Sequence, residues 1–133
     1  MAIISMIPGG AGETVDLLWS NPNPANNFAD QDITLSDTAS AYKKLRVTWE
    51  SGPSQAILAD VDYDLTNIAD YLGGQGHARI GWSWVNNSNR TFARNMYFRN
   101  TDYQVLHVLE AREVHASGDG TGVIIPVAIY GVK

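Results

Sequence analysis

The sequence predicts an all-β fold: a single-domain, jelly-roll-like β-sandwich of about eight antiparallel strands with at most one short helix. Three observations predict it. Short segments alternate apolar and polar residues with period two, most cleanly in Leu45-Arg46-Val47-Thr48-Trp49-Glu50. Turn-forming clusters interrupt these segments at short intervals, among them Asn21-Pro22-Asn23-Pro24, Gly52-Pro53 and Asn86-Asn87-Ser88-Asn89. The chain also ends on a long apolar run, Ile124-Ile125-Pro126-Val127-Ala128-Ile129-Tyr130-Gly131-Val132, which reads as a buried strand.

Residues 1–13 read as an apolar segment (Ile3, Ile4, Met6, Ile7) closed by the glycine-rich hinge Pro8-Gly9-Gly10-Ala11-Gly12, and residues 14–133 as the β-sandwich domain. Residues 15–19 form the first expected strand. The two prolines that follow fix φ and remove donors, so Asn21-Pro22-Asn23-Pro24 must be a turn. A strand resumes over 32–35 and stops at Ser36-Asp37-Thr38. In the strand at 45–50, Leu45, Val47 and Trp49 take one face and Arg46, Thr48 and Glu50 the other. Residues 56–63 are the next strand, and 64–72 hold the short helix or helical turn. Residues 79–84 alternate again, with Ile80, Trp82 and Trp84 on one face, and pair with 91–99 as a hairpin across the polar turn. Residues 103–114 are expected as one long strand, because β-branched content outweighs a helical period over 105–112. A glycine-rich loop, Ser117-Gly118-Asp119-Gly120-Thr121-Gly122, leads into the final strand at 123–132.

Bulk composition removes several function classes. The 133 residues carry a net charge of −5, and the nine basic residues are scattered, so no phosphate-tracking nucleic-acid surface is expected. There is no cysteine, which excludes disulfides, thiolate metal sites and a cysteine nucleophile. No stretch has the length of a transmembrane helix, so no membrane insertion is expected, and the N-terminus lacks the basic region of a signal peptide. The Asn86-Asn87-Ser88 and Asn89-Arg90-Thr91 glycosylation patterns are therefore read as coincidental.

Each candidate for chemistry has a plainer reading. Asp60, Asp62 and Asp64 alternate and share a strand face, as a Ca²⁺ site would want, but Leu65 and Tyr71 stand where an EF-hand loop needs Gly and Glu. A solvated face is the better reading. His77, His107 and His115 lack zinc spacing, and His107 reads as a packed or hydrogen-bonded residue. Ser83 has no nucleophile elbow around it. Glu50, Glu110 and Glu113 are the only carboxylates singled out for a glycosidase pair. The loops 73–76 and 117–122 lack the lysine of a phosphate loop. Trp19, Trp49, Trp82 and Trp84 would suit a sugar-stacking platform, yet Trp49 and the Trp82/Trp84 pair lie on apolar strand faces and read as core. No catalytic residue, cofactor or metal is expected.

Two motifs carry a family resemblance. Leu18-Trp19-Ser20-Asn21-Pro22-Asn23-Pro24, then Phe28-Ala29-Asp30-Gln31 and Ile33-Thr34-Leu35, resembles the opening of a domain found at the C-termini of tail and minor structural proteins of phages and prophages. A tyrosine-containing stretch, here 42–49, follows, and the family closes on a motif similar to Ile125-Pro126-Val127-Ala128-Ile129-Tyr130-Gly131-Val132-Lys133. The match covers 17–50 and 123–133; residues 51–89 share only a general β character. The resemblance implies a virion structural protein made in the host cytoplasm: a tail, fibre or head-decoration domain, non-enzymatic, serving assembly or attachment to a host-surface glycan. It implies a homo-oligomer, with a trimer favoured, and contacts to other virion proteins. The chain would then be either a small stand-alone virion protein or a piece of a longer one. The alternative is a carbohydrate-binding module of a larger enzyme. For a receptor, the candidate binding residues are Asn86, Asn87, Asn89 and Arg90 in one loop and Asp119 in another, because loops vary on a rigid scaffold.

Overall fold

A computed structural model describes residues 13–52, 58–73, 79–86, 88–114 and 123–133. The hinge at 8–12, His77, His115, Asn87 and the loop carrying Asp119 lie outside them. Nine strands are described: β1 (Val15–Ser20), β2 (Gln31–Thr34), β3 (Lys44–Glu50), β4 (Leu58–Asp64), β5 (Ile80–Val85), β6 (Thr91–Phe98), β7 (Val105–Val108), β8 (Arg112–Glu113) and β9 (Ile125–Val132). They form two antiparallel sheets that sandwich the core, in the orders β1-β9-β3-β4 and β2-β7-β6-β5, with β8 also against β6. The likeness to a jelly roll lies in the interleaving: β1, β2 and β3 alternate between sheets, and β9 returns to sit between β1 and β3. The expected helical turn is a 3-10 turn at Ile68–Tyr71, and a second such turn, unanticipated, spans Ala39–Ala41.

Alternation sets the core. Leu45, Val47 and Trp49 of β3 are fully buried, as are Met96 and Phe98 of β6, with Phe92 nearly so. Arg46 and Thr48, on the opposite face of β3, meet Asp62 and Asp60 of β4. Two charged side chains are fully buried among the described residues, Glu50 of β3 and Arg94 of β6. Arg94 donates from Nη2 to the Phe28 carbonyl at 2.8 Å and lies over the Phe28 ring at 5.5 Å. It thereby ties the segment between β1 and β2 to the second sheet.

The terminal motifs meet. Trp19 opposes Ile129 and Ser20 opposes Ala128 in the β1–β9 ladder. Beyond the ladder, the Asn21 backbone N–H donates to the Val127 carbonyl at 2.8 Å, and its side-chain amide donates to the Pro126 carbonyl at 2.9 Å. The Asn21 Oδ1 accepts from the Asn23 N–H at 2.8 Å, shaping the proline turn. Tyr42 adds a third piece. Its ring covers Gly131, where a Cβ would come within 2.6 Å of the ring carbons, and its hydroxyl donates to Asp16 Oδ2 at 2.9 Å. Phe28 packs edge-on against Trp19 at 6.0 Å. Residues remote in sequence therefore close one clamp at the β1–β9 edge.

One expectation is corrected. Residues 103–114 are not a single strand. Met96 opposes Val108 while Ala93 opposes Arg112, so 109–111 face only 94–95 and β7 and β8 are separated by a one-residue bulge. The extra residue switches the buried parity from Leu106 and Val108 to Ala111, which keeps an apolar side chain in the core on both sides of the bulge.

The outer face of β4 supports one pH prediction. Arg46 donates from Nε and Nη2 to Asp62 at 2.6 and 3.0 Å, and this bonding holds the Asp62 carboxyl below its ordinary range despite partial burial. A depressed folded-state pKa contributes stability that is present above the unfolded value, about 3.9, and is lost as pH falls through the folded one. The pair is partly exposed, so the contribution is about 1 kcal/mol or less. Asp62→Asn is expected to lower the urea midpoint slightly at neutral pH and to remove part of its fall on acidification below about pH 4. An unchanged acid slope would contradict this assignment.

Candidate functional site

The outer face of the second sheet gathers the described polar groups with the most chemistry. Antiparallel register fixes its rows. Asp32, His107 and Tyr97 lie side by side across β2, β7 and β6; Asn95 faces Gly81 of β5; Ala93 lies between Ser83 and Arg112; Thr91 faces Val85. The bulge after β7 brings Leu109 and Glu110 beside this face, and the result is a groove of about 450 Å³. Its walls include Arg79, Asn95, Glu110, Arg112 and Asp30, with Ala93 among its lining residues.

Gly81 is the strand partner of Asn95, which lines the groove. A Cβ there would stand 2.2 Å from Asn95 Oδ1, so only glycine lets the Asn95 amide lie across the strand. Above it, Arg79 stacks its guanidinium over Tyr97, 5.4 Å from the ring centroid. The other face of the Tyr97 neighbourhood is closed by Gly73, where a Cβ would meet the ring at 2.3 Å. The Tyr97 ring is thus structural.

Charged partners frame the groove. Arg112 pairs with Glu110. Arg90 grips Glu113 with two bonds, Nε to Oε2 at 2.9 Å and Nη2 to Oε1 at 2.6 Å, which lowers the Glu113 pKa and raises that of Arg90. His107 stands between two carboxylates: Nδ1 is 2.6 Å from Asp32 Oδ1 and Nε2 is 3.0 Å from Asp30 Oδ1. Both ring nitrogens are engaged by protein, in keeping with a hydrogen-bonded reading of His107 over a ligand reading. The His107 and Arg99 bonds hold the Asp32 carboxyl below its ordinary range, His107 having the larger effect.

The sequence candidates divide. Asn86 Oδ1 accepts from the N–H groups of Ser88 and Arg90, both at 3.0 Å, and Asn89 sits in the left-handed region at φ 60°, so this loop is a self-bonded turn. Asn86 and Arg90 build and anchor the turn; the Asn89 side chain is exposed at its tip. Glu50 is buried on β3 in the first sheet, whereas Glu110 and Glu113 border the groove on the second. Glu113, held as a carboxylate by Arg90, has the opposite tuning from the raised pKa of a general acid. Asp60 accepts from Thr48, Asp62 is bound by Arg46, and Asp64 accepts from the Thr66 N–H and hydroxyl. Among the described residues no group of three acidic or imidazole side chains is placed to hold a metal.

The tryptophans are packed. Trp49 is fully buried and stacks on Trp82 at 6.5 Å, and Trp19, Trp82 and Trp84 are partly buried against the core. The one near-coplanar pair lies inside, so these rings do not form an exposed platform. Among the described residues no helix is long and apolar enough to cross a membrane.

Gly81, Asn95 and Arg79 were not singled out from the sequence as binding residues. A glycine inside an alternating strand was the available signal. Compared with known protein families and with curated proteins, the chain matches none.

Proposed function

We propose that the chain is a non-enzymatic structural protein of a tailed-phage particle, a β-sandwich of the tail, fibre or head surface that serves assembly or attachment to the host. One observation supports this reading above the rest. Residues from several of the stretches that carry the phage-tail resemblance, Leu18 to Pro24, Phe28, Tyr42 and Ile125 to Lys133, are one connected clamp, joined through the β1–β9 ladder, Asn21, Tyr42, Gly131 and the Trp19–Phe28 contact. A motif split between two ends of a sequence and reunited in space is what a shared folding unit requires. The domain acts as a scaffold in a homo-oligomer, a trimer, within the assembled particle and beside other virion proteins.

Light scattering coupled to size exclusion tests the assembly part of this reading. A trimeric mass across a wide range of protein concentration is expected. A strictly monomeric mass over the whole range would overturn it.

A further inference from the structure

We infer that the apolar segment at residues 3–7 docks, within its own chain, on the outer face of the first sheet over β1 and β9. Strand register defines that face. Arg46 points away from the core, and the residues level with it, Tyr130 on β9 and Leu17 on β1, point the same way. The row toward the end of β9 holds Val15, Val132 and Lys44, and the row on the other side of Arg46 holds Ala128 and Thr48. Charge and apolarity are segregated across it. Lys44, Arg46 and Thr48 of β3 meet the three aspartates of β4, whereas Val15, Leu17, Ala128, Tyr130 and Val132 make an uncharged stripe over β1 and β9.

The stripe is covered, although no described strand lies above it. Val132 is 2% exposed and Val15 8%, Ala128 is buried as well, and none of the three belongs to the core between the sheets. The Arg46–Glu13 ion pair on the same face is also shielded, with side chains 17% and 22% exposed. Ala39, Ile68 and Tyr71 of the two 3-10 turns pack against the core, on the other side of the sheet. These groups are buried within a single chain, so the cover belongs to that chain and not to a second copy. The connections from β3 to β4 and from β8 to β9 meet the sheet at its far end, beside Glu50 and Ile125. Only the chain that enters β1 arrives beside Val15 and Val132.

The entry to β1 has the right direction, length and chemistry. Glu13 precedes β1, yet its carboxylate reaches Arg46 of β3, two strands away, at 3.4 Å. Neighbouring strands lie about 4.8 Å apart, so this bond draws the entering chain across β9 on the outer face. The hinge Pro8-Gly9-Gly10-Ala11-Gly12 spans up to about 17 Å, and a four-stranded sheet is about 14 Å across. Ile3, Ile4, Met6 and Ile7 therefore reach every part of the stripe. Residues 2–12 carry no charged side chain, which suits them to the uncharged half of the face. Covering that half also removes an apolar patch from water.

The inference does not depend on the phage reading. Its test is a measurement of nuclear Overhauser contacts in the intact chain, labelled at the methyl groups of Ile, Leu and Val. Contacts from Ile3, Ile4 or Ile7 to Val15, Leu17 or Val132 are expected. They should keep their strength, relative to contacts between Val47 and Ile129 in the core, when labelled protein is refolded with an excess of unlabelled chains. Deletion of residues 2–8 is expected to raise the relaxation of the Val15 and Val132 methyls by a soluble gadolinium chelate several-fold, toward the level of exposed Leu17, and to leave Val47 unchanged. The contact measurement needs no variant, so it decides even if the shortened chain fails to fold. Absence of contacts between the segment and this face would overturn the inference, as would Val15 and Val132 methyls equally shielded after the deletion. Contacts that fade on dilution with unlabelled chains would also overturn it and assign the face to a second copy.

Discussion

Deletion of residues 125–133 is expected to leave the chain without a cooperative unfolding transition. β9 lies between β1 and β3, so its removal exposes hydrogen-bonding groups along two strands at once. It also removes Ile125 and Ile129, both fully buried, together with Val132. Each large buried aliphatic side chain contributes about 2–5 kcal/mol when truncated. With the lost ladder bonds, the sum exceeds the roughly 5–15 kcal/mol that holds a typical domain folded. Near-ultraviolet circular dichroism should lose its fine structure. Deleting Lys133 alone removes one backbone bond, to the Thr14 carbonyl, and should leave the transition in place. A cooperative transition in the 125–133 deletion would show that β9 is dispensable.

Trp49→Ala is expected to cost about 3–5 kcal/mol. Trp49 is the largest fully buried side chain and stacks on Trp82 of the facing sheet at an interplanar angle of 21°. Its indole Nε1 donates to the Tyr63 hydroxyl at 3.0 Å, and that hydroxyl donates to the Gly81 carbonyl at 2.6 Å. The relay joins β3, β4 and β5, and so joins the two sheets. Burial pushes the Tyr63 pKa up to about 12, against a smaller opposite effect of the Trp49 bond. Trp49→Phe keeps much of the packing and leaves the Tyr63 oxygen without its donor, for about 1–3 kcal/mol. Urea unfolding at constant slope measures both. Losses under about 1 kcal/mol for the alanine variant would contradict the assignment of Trp49 to the core.

The fold was legible where one local rule decides. In β3 the alternation of Leu45, Val47 and Trp49 with Arg46 and Thr48 states both the strand and its buried face. The hairpin of β5 and β6 followed from a polar turn between two alternating runs. The bulge after Val108 was not legible, since Val105, Leu106, Val108 and Leu109 read as one apolar run. Its only trace is the parity change to Ala111, which needs the partner strand to interpret.

The candidate site was less legible for the same reason. Asn95 and Gly81 are fourteen positions apart and become neighbours only through the register of β5 on β6. Arg90 stands in the sequence as a candidate binding residue of a loop, and its bidentate bond to Glu113 spans 23 positions. Charge and exposure can be read from a sequence, but the partner that uses up a charge cannot. The terminal motifs were plain as strands, and their union through Asn21 and Tyr42 appears only in three dimensions.

Hydrogen exchange tests the clamp most directly. The amides of Asn21, Lys43 and the central residues of β9 bond across the joined ends, Asn21 to Val127 and Lys43 to Val132. If the ends close the sandwich, these amides open only with the whole domain, and their exchange free energies equal that of global unfolding. Exchange of the Asn21 and Lys43 amides through a local opening, at a free energy well below the global value, would contradict the claim that the two ends of the chain hold the fold together.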